Sequence, residues 1–299
     1  MRQFKAKIIS NKKIAPEHYI LSFKEPQIAK NIKPGQFFNI RISDSYDPLL
    51  RRPFSLHNIE GDKIFILYKA VGKATDILSK KEKGEMLDVI GPIGNGFDIQ
   101  ASGNPPSPRL RRAGRQQATV ILVAGGHGVA PLYALAKKLT AHSSQLTAFI
   151  GARTSKHIVC DKEFKKLGAK MHIATEDGSA GYKGVVTELL KTELRRTKDE
   201  GRRTKDDRRY TTDDRRPTTD DRRPTTDDIR PTIYACGPKP MLKAVAQIAH
   251  KYGIACQVSM EEYLACGIGV CMGCVIKTKS GNKLVCKDGP VFDSREIIW

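Results

Sequence analysis

No stretch of this 299-residue chain approaches the roughly 20 consecutive apolar residues that a membrane-spanning helix requires, which excludes a helical membrane protein. Cysteine is sparse, at seven residues, so the chain is not a small scaffold stapled by disulfides. The first ten residues lack the apolar segment of a secretory signal, and a cytoplasmic protein is expected. Acidic residues are also short, 32 against 52 Lys and Arg, leaving a formal charge of +20. Such an excess raises nucleic acid or an anionic membrane as a partner, depending on where the charge sits.

Part of it sits in two segments that read as insertions. From Arg195 to Arg230 a seven-residue unit recurs, clearest as Arg-Arg-Pro-Thr-Thr-Asp-Asp at 215–221 and again at 222–228. A coiled coil needs apolar a and d positions. Here Tyr210 and Ile229 are the large apolar residues, and Pro217 and Pro224 interrupt the repeats. The tract is therefore expected to be a disordered loop, and its 13 basic and 10 acidic residues add only +3. Ala101 to Gln117, with three prolines and four arginines, reads as a linker. The remaining positive charge is scattered, as on an ordinary solvated surface, so binding to nucleic acid is not expected.

Between Phe4 and Ile99, short β-branched or alternating runs are separated by turn signals such as Pro34-Gly35 and Gly61-Asp62. Runs at this spacing predict an antiparallel barrel or sandwich. Within it, Leu50-Arg-Arg-Pro-Phe-Ser-Leu56 places an arginine three residues before a hydroxyl, which suits a ligand needing a fixed cation for phosphate and a small hydrogen-bonding group nearby. A second segment, Leu67 to Leu78, reads as a strand ending in Gly72 and then a helix start, where backbone N–H groups can receive phosphate. Together the two segments resemble the flavin-binding strands of the ferredoxin-NADP reductase superfamily. The resemblance implies that Arg52, Pro53, Phe54 and Ser55 form one set of FAD contacts, the arginine on the pyrophosphate and Phe54 and Ser55 on the isoalloxazine. Leu67, Tyr68, Lys69, Ala74 and Thr75 would form the other. Ala74 stands where many relatives have glycine.

Thr119 to Tyr133 is an apolar strand, a glycine-rich turn and a helix start, and Gly125, Gly126 and Gly128 permit close approach of a dinucleotide phosphate. Further strands are expected at 146–151, 170–175 and 231–236 with helices between them, as in a Rossmann-like parallel α/β domain. The last strand leads into Cys236, Gly237 and Pro238, which resembles the superfamily's Cys-Gly-Pro loop beside the nicotinamide. No residue of the pattern decides between NAD and NADP.

The strongest chemical signal is Cys266, Cys271, Cys274 and Cys286, separated by four, two and eleven residues. Four thiolates in a C-x4-C-x2-C…C pattern are the plant-type ligand set of a 2Fe-2S cluster. Gly267, Gly269 and Gly273 allow a loop to wrap closely and aim backbone N–H groups at sulfur. Zinc is the alternative, although zinc ribbons more often use two paired C-x2-C knuckles. Cys160 and Cys256 fall outside the pattern.

The order flavin barrel, nicotinamide domain and cluster module, with the run Glu-Glu-Tyr-Leu-Ala-Cys-Gly-Ile-Gly-Val-Cys-Met-Gly-Cys at 261–274, resembles the family of electron-transfer subunits of type B dihydroorotate dehydrogenase. The resemblance implies domains at 1–100 and 118–255 and a cluster module at 256–299, with 101–117 as linker and 195–230 as an insertion in the nicotinamide domain. It further implies FAD, a 2Fe-2S cluster and NAD as electron acceptor. The implied partner is an FMN-containing catalytic subunit, in a heterotetramer with two copies of each chain, in pyrimidine biosynthesis. Two other readings share parts of the pattern: an NAD(P)H-oxidising subunit of a cytoplasmic sulfhydrogenase, and a non-enzymatic zinc-binding interaction module.

Overall fold

The computed structural model describes residues 1–99, 119–141, 145–207 and 231–299, with side chains described to residue 197 in the third stretch. The expected linker 101–117 lies outside the described residues.

The first six strands close into an antiparallel barrel in the order β1-β2-β5-β4-β3-β6. They are β1 (Arg2–Ala15), β2 (His18–Lys24), β3 (Phe37–Arg41), β4 (Arg52–Glu60), β5 (Lys63–Lys69) and β6 (Met86–Ile93). Closure depends on the length of β1, which pairs through Arg2 to Lys7 with β6 and through Ile8 to Ala15 with β2. Register shifts between Ile8 and Ser10 and between Lys13 and Ala15 bend the strand from one partner toward the other. Inward residues such as Ile8, Phe23, Phe38, Ile40 and Leu56 fill the interior. Two short helices, α1 (Pro26–Ala29) and α2 (Lys73–Ser79), lie in the β2–β3 and β5–β6 connections.

The rest of the chain is built on a seven-stranded sheet in the order β10-β9-β8-β7-β11-β12-β15. β7 (Thr119–Gly125), β8 (Gln145–Ala152), β9 (Lys170–Thr175), β10 (Tyr182–Lys183), β11 (Thr232–Cys236) and β12 (Ala255–Ser259) run parallel. β7 is apolar at nearly every position because both of its faces are covered. Val120, Leu122 and Ala124 enter one core, and Ile121 and Val123 the other. Helices α3 (Val129–Thr140), α4 (Asp161–Lys166), α5 (Val186–Asp207) and α6 (Lys239–Tyr252) supply the covering layers. From β7 the chain proceeds outward on one side through β8 and β9, then returns to place β11 and β12 on the other. The gap between β7 and β11 is thus the topological switch point, where ligands of such sheets bind.

The expected loop over 195–230 is corrected in its first part, since α5 continues unbroken to Asp207. Val186, Leu189 and Leu190 bury its opening turns. The following residues contain no proline and many Lys, Arg and Glu, so a helix already nucleated by burial propagates through them. The repeats beyond 207 lie outside the described residues.

The C-terminal segment has a hairpin, β13 (Val275–Thr278) and β14 (Gly281–Leu284), and then β15 (Val291–Asp293), which pairs antiparallel with β12. Cys274, Ile276, Leu284, Val285, Cys286 and Ile297 share one buried cluster with Ile233 and Val258 of the parallel strands and Phe37 and Ile93 of the barrel. No helix among the described residues is long and apolar enough to cross a membrane.

Candidate functional site

The barrel's ligand-facing wall comes from β4 and β5. In β4, Ser55 pairs across to Phe37, Phe54 to Phe38, Pro53 to Asn39 and Arg52 to Ile40. Phe54 is buried with its ring edge-on to Tyr68, centroids 5.7 Å apart. Tyr68 stacks on Tyr19 at 5.4 Å and donates its hydroxyl to Asn11 Oδ1 at 2.9 Å, and burial raises its phenol well above the ordinary value. The neighbouring arginines differ in use. Arg51 donates to Asp88 Oδ1 at 2.8 Å and to its carbonyl at 2.8 Å, an ion pair that ties β6 to the 42–51 loop. Arg52 donates to the Leu50 and Arg51 carbonyls and pairs with no carboxylate among the described residues.

Thr75 has a local task. Its Oγ1 accepts from the N–H groups of Val71 at 2.9 Å and Gly72 at 3.2 Å and donates to the Gly72 carbonyl, shaping the turn into α2. Lys69 Nζ lies 3.2 Å from Glu17 Oε2, and that hydrogen bond and charge hold the Glu17 carboxyl below its usual range. Arg52, Pro53, Phe54, Ser55, Leu67, Tyr68, Lys69 and Thr75 all line one cavity between the barrel and the sheet. Ala74, the remaining residue of the expected flavin set, is buried in the barrel's core cluster and outside the lining.

The opposite wall comes from the turn after β7, the first turn of α3 and the segment after β12: His127, Ala130, Pro131, Glu261 and Glu262. His127 Nε2 lies 3.7 Å from Glu261 Oε1, and Lys239 Nζ donates to Glu262 Oε1 at 2.9 Å. None of these was singled out in the sequence, although Glu261-Glu262 opens the cysteine run and His127 sits inside the glycine turn.

Gly125 ends β7 with Gly126 and Gly128 in the turn after it, and Cys236 ends β11 with Gly237 and Pro238 following, so the two motifs meet at the switch point. A Cβ on Gly128 would overlap the Cys236 carbonyl, and one on Gly125 would come 2.7 Å from Met241 Sδ and 2.8 Å from Pro238 Cδ. Gly128 is required by backbone packing at the strand ends whether or not a dinucleotide is bound, whereas Gly125 makes room for the Met241 and Pro238 side chains. Burial drives the Cys236 thiol well above its ordinary pKa, and the Glu261 charge adds to the shift against a hydrogen bond with Ser259. It is a neutral thiol, not a nucleophile.

The segments that carry the four cysteines of the C-terminal run border the cavity, where Leu264 and Val285 complete its lining. Cys274 Sγ is 3.3 Å from Cys286 Sγ. The loop turns its backbone inward: the N–H groups of Ile268, Val270 and Cys271 each lie 3.4 Å from Cys266 Sγ, and that of Gly273 lies 3.4 Å from Cys271 Sγ. Burial works against the Cys266 thiolate, but the N–H groups of Ile268, Cys271 and Val270 outweigh it and bring the thiol down to about 6. Cys286 is pushed up to about 12 by burial and by the neighbouring Cys274 sulfur. Among the described residues no three potential ligands are gathered tightly enough to hold a metal ion, but four thiols on segments whose N–H groups turn toward sulfur have the donor chemistry of an iron-sulfur centre, whose anionic sulfur such groups stabilise. Cys160 and Cys256 are buried elsewhere, their thiols pushed up to about 12 by desolvation.

Residues 261–298 match the domain family described as the iron-sulfur cluster binding domain of dihydroorotate dehydrogenase B, and residues 122–247 match the oxidoreductase NAD-binding domain. The chain is 33% identical over 302 residues to the dihydroorotate dehydrogenase B (NAD(+)) electron transfer subunit of Desulforamulus reducens, covering 99% of this chain and 98% of that one. This chain belongs to that family. The corresponding subunit of Caldanaerobacter subterraneus is 34% identical, with 99% of each chain covered. Among solved structures, a chain of an NADH-dependent reduced ferredoxin-NADP oxidoreductase superposes with a TM-score of 0.73 at 28% identity, over 98% of this chain and 90% of that one. The barrel, the parallel sheet and the C-terminal cysteine module are therefore the family's architecture.

Proposed function

We propose that this chain passes electrons from the FMN-containing catalytic subunit of a dihydroorotate dehydrogenase to NAD⁺, with FAD in the cavity between barrel and sheet and a 2Fe-2S cluster on Cys266, Cys271, Cys274 and Cys286. The observation that carries the reading is the adjacency of two chemistries: the four-sulfur loop borders the cavity lined by Arg52 to Ser55 and Leu67 to Lys69. When bound, the cluster supplies one-electron transfer and the flavin converts it to hydride chemistry.

The chain's own residues bind and orient. Arg52, free of carboxylate partners among the described residues, holds the FAD pyrophosphate, and Thr75 keeps the turn before α2 in shape to receive it. Pro53, Phe54, Leu67 and Tyr68 form the apolar wall for the ring system, Lys69 lies at its edge, and Ser55 offers a hydroxyl. Ala74 packs in the barrel core that carries Phe54 and Tyr68. Gly125, Gly126 and Gly128 with Cys236, Gly237 and Pro238 receive the nicotinamide dinucleotide at the switch point. Dihydroorotate itself is handled by the partner.

Around the exposed Cys271, Tyr263 is 94% exposed, Val270 73% and Met272 57%. An apolar rim at the outer ligand of the cluster suits a protein partner, and in this reading it meets the FMN subunit in a heterotetramer of two copies of each chain. In this reading the chain works in the cytoplasm, which its kinship with subunits of a pyrimidine-biosynthetic enzyme supports.

The test is to isolate the chain with its copurifying partner and assay NAD⁺ reduction driven by dihydroorotate. The expected result is turnover by the complex, lost with Tyr263→Arg plus Val270→Glu while both cofactors stay in the chain. A partner without FMN, or a complex inert toward dihydroorotate, would overturn the assignment.

A further inference from the structure

Asn39, in β3, is fully buried. Its Nδ2 donates to the carbonyl of Cys266, 227 residues away, at 3.1 Å, while its equally buried Oδ1 has no donor among the described residues. Its backbone partners are Pro53 of β4 and Ile90 of β6, so the side chain stands on the strand beside the Arg52 to Ser55 segment. On the other side of the cysteine module, Asn95 Nδ2 donates to the Asp288 carbonyl at 2.9 Å, and the Asn95 N–H donates to the Gly289 carbonyl at 2.5 Å. The first cysteine of the set is thus tied to the barrel by Asn39, and the segment just after the last one is held by Asn95, two residues past β6.

The Asn39 contact falls on a sensitive peptide. The Cys266 carbonyl belongs to the link into Gly267, whose φ of +68° begins the turn that carries the N–H groups of Ile268, Val270 and Cys271 to Cys266 Sγ. A Cβ on Gly267 would overlap the Asn39 amide. Glycine and amide together allow one rotation of that peptide. Stability alone does not call for an amide here. A leucine of similar size would fill the space without stranding a buried acceptor, and unpaired buried acceptors are rare because they forgo a hydrogen bond with water.

We propose that Asn39 is a positioning residue for the iron-sulfur centre: by holding the Cys266 carbonyl it keeps the loop's N–H groups aimed at Cys266 Sγ, and so raises the centre's reduction potential. The inference rests on the four-cysteine reading above. Reduction adds negative charge to the sulfur shell, and N–H groups directed at that shell favour the reduced form. A loosened loop gives up part of that stabilisation, and the potential falls.

The experiment uses the full chain as isolated, with Asn39→Leu and Asn39→Ala as variants. Iron content and flavin content are measured first, and the centre is then titrated by electron paramagnetic resonance. Both variants are expected to keep iron and flavin, with altered g-values and about a tenfold smaller reduced-to-oxidised ratio at fixed ambient potential, a fall of about 59 mV for a one-electron couple. Gly267→Ala is expected to produce a similar fall by pushing on the same amide, and to add little to Asn39→Ala, where the amide it strikes is gone. An unchanged potential in iron-replete Asn39 variants overturns the proposal. So does loss of iron from both variants with flavin retained, because Asn39 would then be needed for assembly and not for tuning. Absence of iron from the unsubstituted chain would instead refute the four-cysteine reading.

Discussion

The imidazole of His57 in β4 stacks on the ring of Tyr133 in α3, centroids 5.0 Å apart and planes 28° from parallel. Beside this pair, Lys137 Nζ donates to Asn58 Oδ1 at 2.8 Å and to the Ile59 carbonyl at 3.3 Å. Strand and helix belong to different halves of the molecule, and this contact sets the cavity wall carrying Ser55 against the helix that begins at the glycine turn. His57 Nδ1 has the Ala130 carbonyl 3.4 Å away, which favours the protonated ring, but desolvation prevails and lowers the imidazole to about 4.

That shift predicts an acid-labile junction. Unfolded, His57 titrates near 6.5, so between pH 6.5 and 4 the unfolded chain takes up a proton that the folded chain refuses. Stability from this group is complete above 6.5 and falls as pH is lowered, by about 3 kcal/mol once pH is below 4. Thermal unfolding followed against pH should show the decline, and His57→Phe, which keeps the stack, should flatten it by that amount. An identical slope in the variant would count against the assignment.

Cys271 and Cys286 should respond differently to the same chemical change. Cys271 is exposed, so Cys271→Ser is expected to abolish the iron-dependent visible absorption while FAD and the melting temperature of the iron-free protein are retained. Cys286 is buried among Cys274, Leu284 and Val285, so Cys286→Ser should also cost that iron-free protein about 1–3 kcal/mol for a buried hydroxyl. Full iron content in Cys271→Ser would refute its role as a ligand.

Gly128→Ala drives a methyl group into the Cys236 carbonyl. Overpacking of this kind costs about 1–3 kcal/mol, and it spreads the two strand ends where the nicotinamide is expected. NADH-driven flavin reduction should fall sharply, with FAD and iron retained in stopped-flow samples. Gly126→Ala meets no atom within 4 Å and is opposed only by its φ of +54°, so it should cost about 1–2 kcal/mol and slow the reaction less.

Ser55 lines the cavity and is half-buried. If its hydroxyl meets the flavin's reactive edge, Ser55→Ala should slow flavin reduction by NADH about tenfold, the scale of one hydrogen bond, at unchanged flavin content. A rate equal to that of the unsubstituted chain would sink the idea.

Much of this could be read from the chain in advance, for reasons that differ from element to element. β7 and β11 were legible because strands covered on both faces are continuous apolar runs, and the cysteines because a metal centre imposes spacing. β15 was not, since three residues leave no periodic signal and its partner β12 lies more than thirty residues back. The run of α5 through 195–207 was missed because composition suggests solvent, whereas the helix is nucleated earlier, by Leu189 and Leu190. At the site, eight of the nine expected flavin residues line the cavity and Ala74 is buried in the barrel core. Asn39, His127 and Glu261 were silent, because an asparagine in a strand or a histidine in a turn acquires meaning only from what folds against it.

The pairing of β15 with β12, together with the hold of Asn95 on residues 287–290, means that the C-terminal cysteine module is not a cassette. Its apolar side chains complete a core begun by the other two units, and its last strand closes an edge of their sheet. Excised as a peptide, it should neither fold nor keep iron, unlike a free-standing ferredoxin on a tether. Lineages that dispense with the cluster would have to rebuild that edge of the sheet, and cannot simply delete the final forty residues.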